Sequence, residues 1–138
     1  MGGRNIIIVE GVYSRLGVDN DLFDNALSIR RIICPAKNAY ESYFKIFNSI
    51  INNHKENDLI LLSLGPTATI LAYEIGNIGI QCIDIGHVDI EYEWFLKKAK
   101  IKVPVQGKFV NEARTYKPIA DIIDENYKKQ IIDIILEN

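Results

Sequence analysis

The fold is decided by the stretch Asp58-Leu-Ile-Leu-Leu-Ser-Leu-Gly-Pro-Thr-Ala-Thr69. Its unbroken apolar run at residues 59–62 is typical of a strand that is covered on both faces, as in a parallel sheet. Gly65 and Pro66 then end the strand and begin a helix, because proline is well suited to the first helical position. The stretch therefore predicts a strand that leads directly into a helix, which is the building unit of α/β folds.

The same alternation continues on both sides of this stretch. Three further apolar runs predict strands, at residues 5–10, 29–34 and 79–85. Helical spacing of apolar residues predicts helices at residues 37–51, 66–75 and 88–99, and either one long helix or two at residues 119–135. One or two helical turns at residues 21–27 and a short strand at residues 108–110 are also expected. We predict the α/β class, with residues 1–138 forming one Rossmann-like domain that has a mainly parallel sheet and helices on both faces.

Composition excludes several classes of protein. The chain has 138 residues, 48% of them apolar and 25% charged, with a net charge of -2. No basic surplus points to nucleic acid, and no apolar run approaches the roughly 20 residues that span a bilayer. Cys34 and Cys82 each lie in an apolar strand-like run, so we expect reduced thiols packed in a core rather than a disulfide or a metal site. A cytoplasmic location, with no signal peptide, fits these features.

Ligands of open parallel sheets bind beyond the carboxyl ends of the strands, which directs attention to three loops. The first, residues 10–21, combines glycines with Ser14 and Arg15. Glycine lets backbone amides approach an anion, and arginine grips phosphate oxygens through two parallel hydrogen bonds, so a diphosphate is a fitting guest. The alternative is a polar loop in which Asp19 or Asn20 caps the next helix. Spacing alone slightly favours the alternative, since the loop matches no standard nucleotide-binding fingerprint.

The second loop, residues 64–69, begins the helix that follows the third strand. A helix start at this edge presents unpaired amides and the positive end of the helix dipole to a ligand. Thr67 and Thr69 add hydroxyl groups. The alternative is that Gly65 and Pro66 only make the turn.

The third loop, residues 84–94, carries Asp89 and Glu91 one residue apart. Their side chains point the same way in an extended segment but diverge by about 200 degrees in a helix. An extended segment could therefore hold a hard cation such as Mn²⁺ or Mg²⁺, together with phosphate oxygens. The alternative is that Asp89 caps a helix and Glu91 is a first-turn acid, and spacing alone favours this alternative. His87 is equally compatible with an ordinary turn residue.

Taken together, the loops resemble the bacterial GT-D glycosyltransferases. The stretches that carry the resemblance follow one another in order over most of the chain, at residues 10–26, 31–36, 64–69, 84–95 and 107–112. Members of that family carry a comparable length of sequence before this region. We therefore expect residues 1–138 to be the nucleotide-sugar-binding, C-terminal part of a longer GT-D domain.

The resemblance implies transfer of a sugar, such as glucose from UDP-glucose, to a glycan or glycoprotein acceptor on the cytoplasmic side. It implies a Mn²⁺ or Mg²⁺ ion bound through Asp89 and Glu91. An inverting enzyme would also need a general base for the acceptor hydroxyl, and the candidates are Glu10, His87, Glu91 and Glu93. Further expected partners are a second copy of the chain or other glycosyltransferases. The residues expected to contact the donor are Ser14, Arg15, Gly17, Asn20, Asp21, Gly65, Pro66 and Thr67.

Two other functions remain open at the level of sequence. One is a nucleotide-binding module that binds UDP without transferring a sugar. The other is a different small-molecule enzyme on a Rossmann-like sheet. A metal-dependent preference for UDP over adenine nucleotides would distinguish a GT-D transferase from a different small-molecule enzyme. Turnover of a UDP-sugar would distinguish an enzyme from a nucleotide-binding module.

Overall fold

The computed structural model describes residues 3–86, 88–96 and 125–136, and in this part of the chain it has a parallel sheet of five strands. The order across the sheet is β4-β3-β1-β2-β5, and every neighbouring pair is parallel. The strands are β1 (Asn5–Gly11), β2 (Ser28–Cys34), β3 (Leu59–Ser63), β4 (Cys82–Asp84) and β5 (Ile131–Ile134). The predicted α/β class and parallel sheet are confirmed, although β4 is shorter than the predicted run at residues 79–85.

Helices follow the second, third and fourth strands, as the alternation predicts. A 3₁₀ turn at Ala39–Ser42 precedes α1 (Tyr43–Asn53), so the predicted helix at residues 37–51 has an irregular first part. The other helices are α2 (Pro66–Asn77), α3 (Val88–Leu96) and α4 (Glu125–Gln130). Pro66 lies at the start of α2, where its missing N–H has no intrahelical partner to lose.

The core has two layers, one on each face of the sheet. On one face, Ile46 and Ile50 of α1 and Leu71 and Ile75 of α2 pack on the sheet and are fully buried. Burial of each such side chain stabilises the fold by about 1.5–3 kcal/mol. On the opposite face, the β1–β2 loop (residues 12–27) supplies the buried side chains of Leu16, Val18 and Phe23, and α4 supplies Tyr127. The described helices therefore occupy both faces, as predicted.

Two sequence predictions need correction. The helix predicted at residues 119–135 is wrong in its last part, because residues 131–134 form strand β5 and pair with β2. Strand pairing, a tertiary effect, overrides the helical spacing of the isoleucines there. Residues 21–27 form hydrogen-bonded turns, from Asp24 N–H to Asp21 C=O and from Ala26 N–H to Phe23 C=O, rather than a helix. The predicted strand at residues 108–110, residues 97–99 of the helix predicted at 88–99, and residues 119–124 lie outside the described residues.

The two cysteines are free thiols in strands, as expected. Cys34 is buried in the core, and burial is the main cause that raises the pKa of its thiol. Cys82 is half-buried, and burial raises the pKa of its thiol to about 12. Both thiols are therefore protonated and unreactive near neutral pH. Separately, no helix among the described residues has the length and apolarity to cross a membrane.

Sheet topology determines where a ligand can bind. β1 lies between β2 and β3, so the chain moves to one side of β1 for the second strand and to the other side for the third. The β1–β2 loop covers one face of the sheet, whereas α2 follows β3 on the other face. A crevice at the carboxyl ends of the strands is the expected result of such a reversal.

Candidate functional site

A cavity of about 500 Å³ opens at the carboxyl ends of β1, β2 and β3. We call it the edge cavity. Three consecutive strand-end loops form its walls, which places it where the strand order reverses. The described lining residues are Gly11, Ser14, Leu16, Pro35, Ala36, Lys37, Asn38, Ala39, Tyr40, Ser63, Leu64, Gly65, Pro66 and Thr67. Of the predicted donor contacts, the structure brings Ser14, Gly65, Pro66 and Thr67 together here.

The first turn of α2 forms one wall of the edge cavity. Gly65 has φ 59° and ψ -144°, a conformation that is essentially reserved for glycine, and its missing side chain leaves open space. Thr67 is only 4% exposed although it lines the cavity, and among the described residues its hydroxyl makes no hydrogen bond. A hydroxyl that lines the cavity and has no partner among the described residues is available to a polar ligand there.

Charge in the edge cavity is one-sided. Among its described lining residues, Lys37 is the one charged side chain, and no aspartate or glutamate is present. Sequence reasoning missed Lys37 because it considered the loops after β1, β3 and β4 but not the loop after β2. The signal was available, since Lys37 follows the predicted strand end at Cys34 as closely as Ser14 follows the end of β1.

Below the cavity, a buried ion pair fixes the β1–β2 loop. Glu10 and Arg31 are both almost fully buried, and Arg31 Nη1 donates to Glu10 Oε1 at 2.8 Å. The other Glu10 oxygen accepts the Leu16 N–H at 2.8 Å, and Arg31 Nη2 donates to the Leu16 C=O at 2.8 Å. The Leu16 peptide is thus held at both ends. Glu10 therefore fits a positioning role better than that of a general base.

Arg15, a predicted donor contact, is not among the described residues that line the edge cavity. It is 5% exposed, has a left-handed φ of 49°, and its guanidinium lies over the Tyr13 ring, 5.8 Å from the centroid. Among the described residues, Arg15 lines neither the edge cavity nor the second cavity described next. A direct contact between Arg15 and a phosphate stays a prediction.

The remaining predicted donor contacts lie in a second cavity of about 480 Å³, on the other side of the β1–β2 loop. Gly17, Asn20 and Asp21 line this cavity, together with Asp19 and Asp24, and we call it the acidic cavity. The Asn20 side chain accepts the Leu22 N–H at 3.0 Å, so Asn20 organises a turn rather than capping a helix. The predicted donor contacts are therefore divided between two cavities of opposite charge.

The expected extended segment at Asp89 and Glu91 is wrong, because α3 begins at Val88 and includes both residues. Positions two apart on a helix lie about 200 degrees apart around its axis, which does not fit one cation held by both carboxylates. Glu91 is exposed, whereas His87 and the side chains of Asp89 and Glu93 lie outside the described residues. Among the described residues, no group of three or more His, Cys, Asp and Glu side chains could hold a metal ion.

Helix α3 lies against the loop that follows β1. The Tyr92 hydroxyl donates to the Asp21 carboxylate, and this hydrogen bond is the first cause that raises the pKa of Tyr92. The Ser63 hydroxyl at the end of β3 donates to the Gly86 C=O at 2.8 Å, just before α3. These contacts bring the segment that carries Asp89 and Glu91 to the carboxyl edge of the sheet, as predicted.

Known proteins of similar sequence are streptococcal glycosyltransferases. The chain is 44% identical over 129 residues to the probable glycosyl transferase Gly of Streptococcus gordonii, covering 94% of the chain and 19% of that protein. It is also 44% identical over 133 residues to glycosyltransferase GlyD of Streptococcus pneumoniae serotype 4, covering 96% of the chain and 16% of that protein. The chain thus spans less than a fifth of either relative.

Solved structures match the fold closely. One is described as the highly conserved domain of unknown function 1792 with a distinct glycosyltransferase fold. It has a TM-score of 0.90 and 42% identity, over 96% of this chain and 47% of that chain. Another, a glycosyltransferase of Streptococcus sanguinis, has a TM-score of 0.88 and 42% identity, over 98% and 50% of the two chains.

A family model agrees with these likenesses in sequence and structure. The model for the glycosyltransferase GT-D fold matches residues 1–113, which include β1 to β4 and the edge cavity. The chain therefore belongs to the glycosyltransferase GT-D fold family.

Proposed function

We propose that this chain binds the donor in a glycosyltransferase that moves a sugar, such as glucose from UDP-glucose, to a glycan or glycoprotein acceptor. The observation that carries the proposal is the edge cavity, which holds hydroxyl groups and a lysine, is free of acidic residues among its described lining, and is bounded by the start of α2. A nucleoside diphosphate needs this combination, because its negative charge is stabilised by helix N-terminal amides and repelled by carboxylates.

In this proposal the diphosphate lies against the first turn of α2. Gly65 lets the backbone approach closely, and the Thr67 hydroxyl, at the cavity wall, donates a hydrogen bond to a phosphate oxygen. Ser14 adds a hydroxyl from the opposite wall. As the glycosidic bond breaks, negative charge grows on the leaving nucleotide, and donors that are already in place stabilise it without rearranging.

An inverting reaction also needs a general base that accepts the proton of the acceptor hydroxyl. Glu10 is a poor candidate, because its carboxylate is buried and both oxygens already accept hydrogen bonds. Glu91 is exposed on α3 and is free to approach an acceptor that arrives from solvent. We therefore favour Glu91 over Glu10, and His87 stays a second candidate.

Metal dependence is part of the proposal, although two carboxylates on one helix do not support a shared ion. A Mn²⁺ or Mg²⁺ ion commonly takes one or two carboxylate oxygens and completes its shell with phosphate oxygens and waters. One carboxylate, from Asp89 or Glu91, would therefore be enough to hold the cation next to the diphosphate. A cytoplasmic site of action, and association with a second copy or with other glycosyltransferases, are further expectations from the family resemblance.

The proposal is tested by titrating UDP and ADP into the chain by calorimetry, with and without MnCl₂, and by measuring UDP release from UDP-glucose. We expect UDP to bind more tightly than ADP and manganese to strengthen UDP binding. Equal affinity for ADP, or no affinity for UDP, would contradict the donor site.

The metal arm uses Asp89→Ala and Glu91→Ala separately, with Glu56→Ala as the control, since Glu56 is exposed before β3 at the opposite end of the sheet. We expect the gain from manganese to disappear in one of the two α3 variants and to persist in the control. A gain that survives in both α3 variants would mean that the cation binds elsewhere.

A further inference from the structure

The loop between β2 and the 3₁₀ turn places a lysine at the edge cavity. β2 ends at Cys34 and the turn begins at Ala39, so Lys37 lies in a short connection at the carboxyl edge of the sheet. The chain turns sharply at Asn38, which has a left-handed φ of 55° and ψ of 40°. Lys37 is exposed and lines the cavity, opposite the wall that α2 provides.

Charge around Lys37 is uncompensated. Among the described residues Lys37 makes no ion pair, and no acidic side chain lines the same cavity. The other two cations near this edge are committed elsewhere: Arg31 to the buried Glu10, and Arg15 to a buried position over Tyr13. Lys37 is therefore the described cation that an anion in the edge cavity meets.

The opposite wall points to a ligand independently of this charge. Thr67 is only 4% exposed and lines the same cavity. Its hydroxyl makes no hydrogen bond among the described residues. The positive end of α2, a helix of 12 residues, faces the cavity at this point. A ligand that satisfies both walls must carry negative charge and hydrogen-bond acceptors at the same place.

We infer that Lys37 binds the diphosphate of the donor, so that the phosphate oxygens lie between its ammonium group and the first turn of α2. This inference rests on the proposed function and adds a residue that pairs with the charge of the leaving nucleotide. Lysine serves as a mobile point charge for phosphate, which suits a diphosphate that must enter and leave. Lys37, rather than Arg15, is the phosphate-binding cation of this part of the chain.

The test is a calorimetric titration of UDP and of uridine into the full chain, in low salt and with EDTA. Lys37→Met keeps the apolar stem and removes the charge, and Lys37→Arg restores the charge. Lys55→Met is the matched control, because Lys55 is exposed at the opposite end of the sheet, before β3. We expect the Kd for UDP to rise about ten- to a hundredfold in Lys37→Met, as loss of one charge-assisted contact implies.

The remaining results are equally specific. The Kd for uridine should be unchanged in Lys37→Met, Lys37→Arg should recover most of the affinity for UDP, and Lys55→Met should bind like the parent. If the parent binds UDP and Lys37→Met binds it equally well, the inference fails while the proposed function stands. The inference also fails if Lys37→Met weakens uridine and UDP alike, or if Arg15→Met alone weakens UDP with unchanged stability. A parent that binds no UDP either with EDTA or with MnCl₂ overturns both the inference and the proposed function.

Discussion

The edge cavity and the acidic cavity have nearly the same volume, about 500 and 480 Å³, and share the β1–β2 loop as a wall. Their charge differs: the described lining of the edge cavity has Lys37 and no acid, whereas the acidic cavity is lined by Asp19, Asp21 and Asp24 and by Arg31, whose charge is paired with Glu10. Volume therefore does not select the donor site here, because a diphosphate would be repelled from three carboxylates. Residues that are close together in the β1–β2 loop therefore line two cavities of different charge.

The division between the two cavities occurs at Leu16. Arg15 and Gly17, on either side of it, have left-handed φ values of 49° and 75°, so the chain reverses twice within three residues. Glu10 and Arg31 hold the Leu16 peptide through its N–H and C=O. The clamp therefore sets the shape of both cavities at once, and the first prediction addresses it.

The largest effect is expected from Arg31→Met, which removes one member of the buried ion pair. It removes the guanidinium that lies 2.8 Å from the Glu10 carboxylate and leaves this fully buried carboxylate without its opposite charge. Loss of one partner of a buried pair costs about 3–5 kcal/mol, so the free energy of unfolding should fall by that amount in urea denaturation. Nucleotide binding should weaken as well, because the Leu16 peptide loses its anchor.

Arg4→Met is the control for this prediction. Arg4 also donates two hydrogen bonds, to Asn57 C=O and the Gln81 side chain, but at an exposed site. We expect a loss below about 1 kcal/mol for that variant, since surface substitutions are usually mild. Similar losses in the two variants would contradict the idea that the buried clamp defines the loop.

The second prediction compares the glycines that shape the two cavities. A Cβ at Gly17 would lie 2.5 Å from the Phe23 ring, whereas a Cβ at Gly65 would meet nothing within 4 Å. Both positions have positive φ, which strains alanine by roughly 1–3 kcal/mol. Gly17→Ala should therefore lose more stability, roughly 2–4 kcal/mol in all, because overpacking adds to the strain.

Affinity for UDP should follow the opposite order. Gly65→Ala alters the backbone at the start of α2 and places a methyl group in the open space beside it, so it should weaken UDP binding more than Gly17→Ala does. Thermal unfolding and calorimetry on the same two proteins measure both orders. If stability and affinity fell together in the same variant, the two cavities would not be functionally separate.

Local signals explain what the sequence could predict. The apolar run of β3 and the Gly65-Pro66 pair that follows it predict a strand and a helix from about a dozen neighbouring residues. The structure has β3 and α2 at these positions. Gly65, Pro66 and Thr67 were therefore correctly assigned to the carboxyl edge. The helix at residues 88–96, including its start at Val88, was also predictable from spacing. The extended segment expected at Asp89 was wrong, because capping preferences and metal-ligand spacing favour the same residue types there.

Long-range pairing explains most of what the sequence could not predict. Strand β5 depends on β2, which lies about a hundred residues earlier, and its isoleucines fit a helical spacing equally well. The Glu10–Arg31 pair joins neighbouring strands, and a single sequence gives no sign that these two charges are buried together. Arg15 is also buried, which its place in a polar loop does not indicate, and its contact with a phosphate stays a prediction.

The third prediction separates the cavities by affinity alone. Thr67→Val replaces the hydroxyl with a methyl group of similar size, so UDP binding should weaken by about 1 kcal/mol, or roughly fivefold. Stability should not fall, because in the free protein that hydroxyl makes no hydrogen bond among the described residues. Asp24→Asn, in the acidic cavity, is the matched variant and should bind UDP like the parent. A stronger effect of Asp24→Asn than of Thr67→Val would move the donor to the acidic cavity.

The smallest effect concerns Tyr127, which lines the acidic cavity and packs under the Arg31 guanidinium, 4.9 Å from its ring centroid. Burial, and then the charge of Glu10, raise the pKa of Tyr127 from its ordinary value of 10.0 to about 12. Since the folded state holds the phenol proton more tightly than the unfolded chain, this contribution to stability is complete below pH 10. It is lost as pH rises from about 10 to about 12.

Tyr127→Phe has no proton to lose, so its free energy of unfolding should fall less steeply than the parent's between pH 9 and pH 11, as urea denaturation at each pH would measure. Burial of Cys34, Cys82 and Tyr43 raises the pKa of those groups too, so both proteins should lose some stability, and the difference in slope is the readout. Tyr73→Phe, at an exposed position on α2, is the control and should keep the parent's slope. Identical slopes in the parent and in Tyr127→Phe would mean that the clamp beneath the acidic cavity does not hold the phenol in its neutral form.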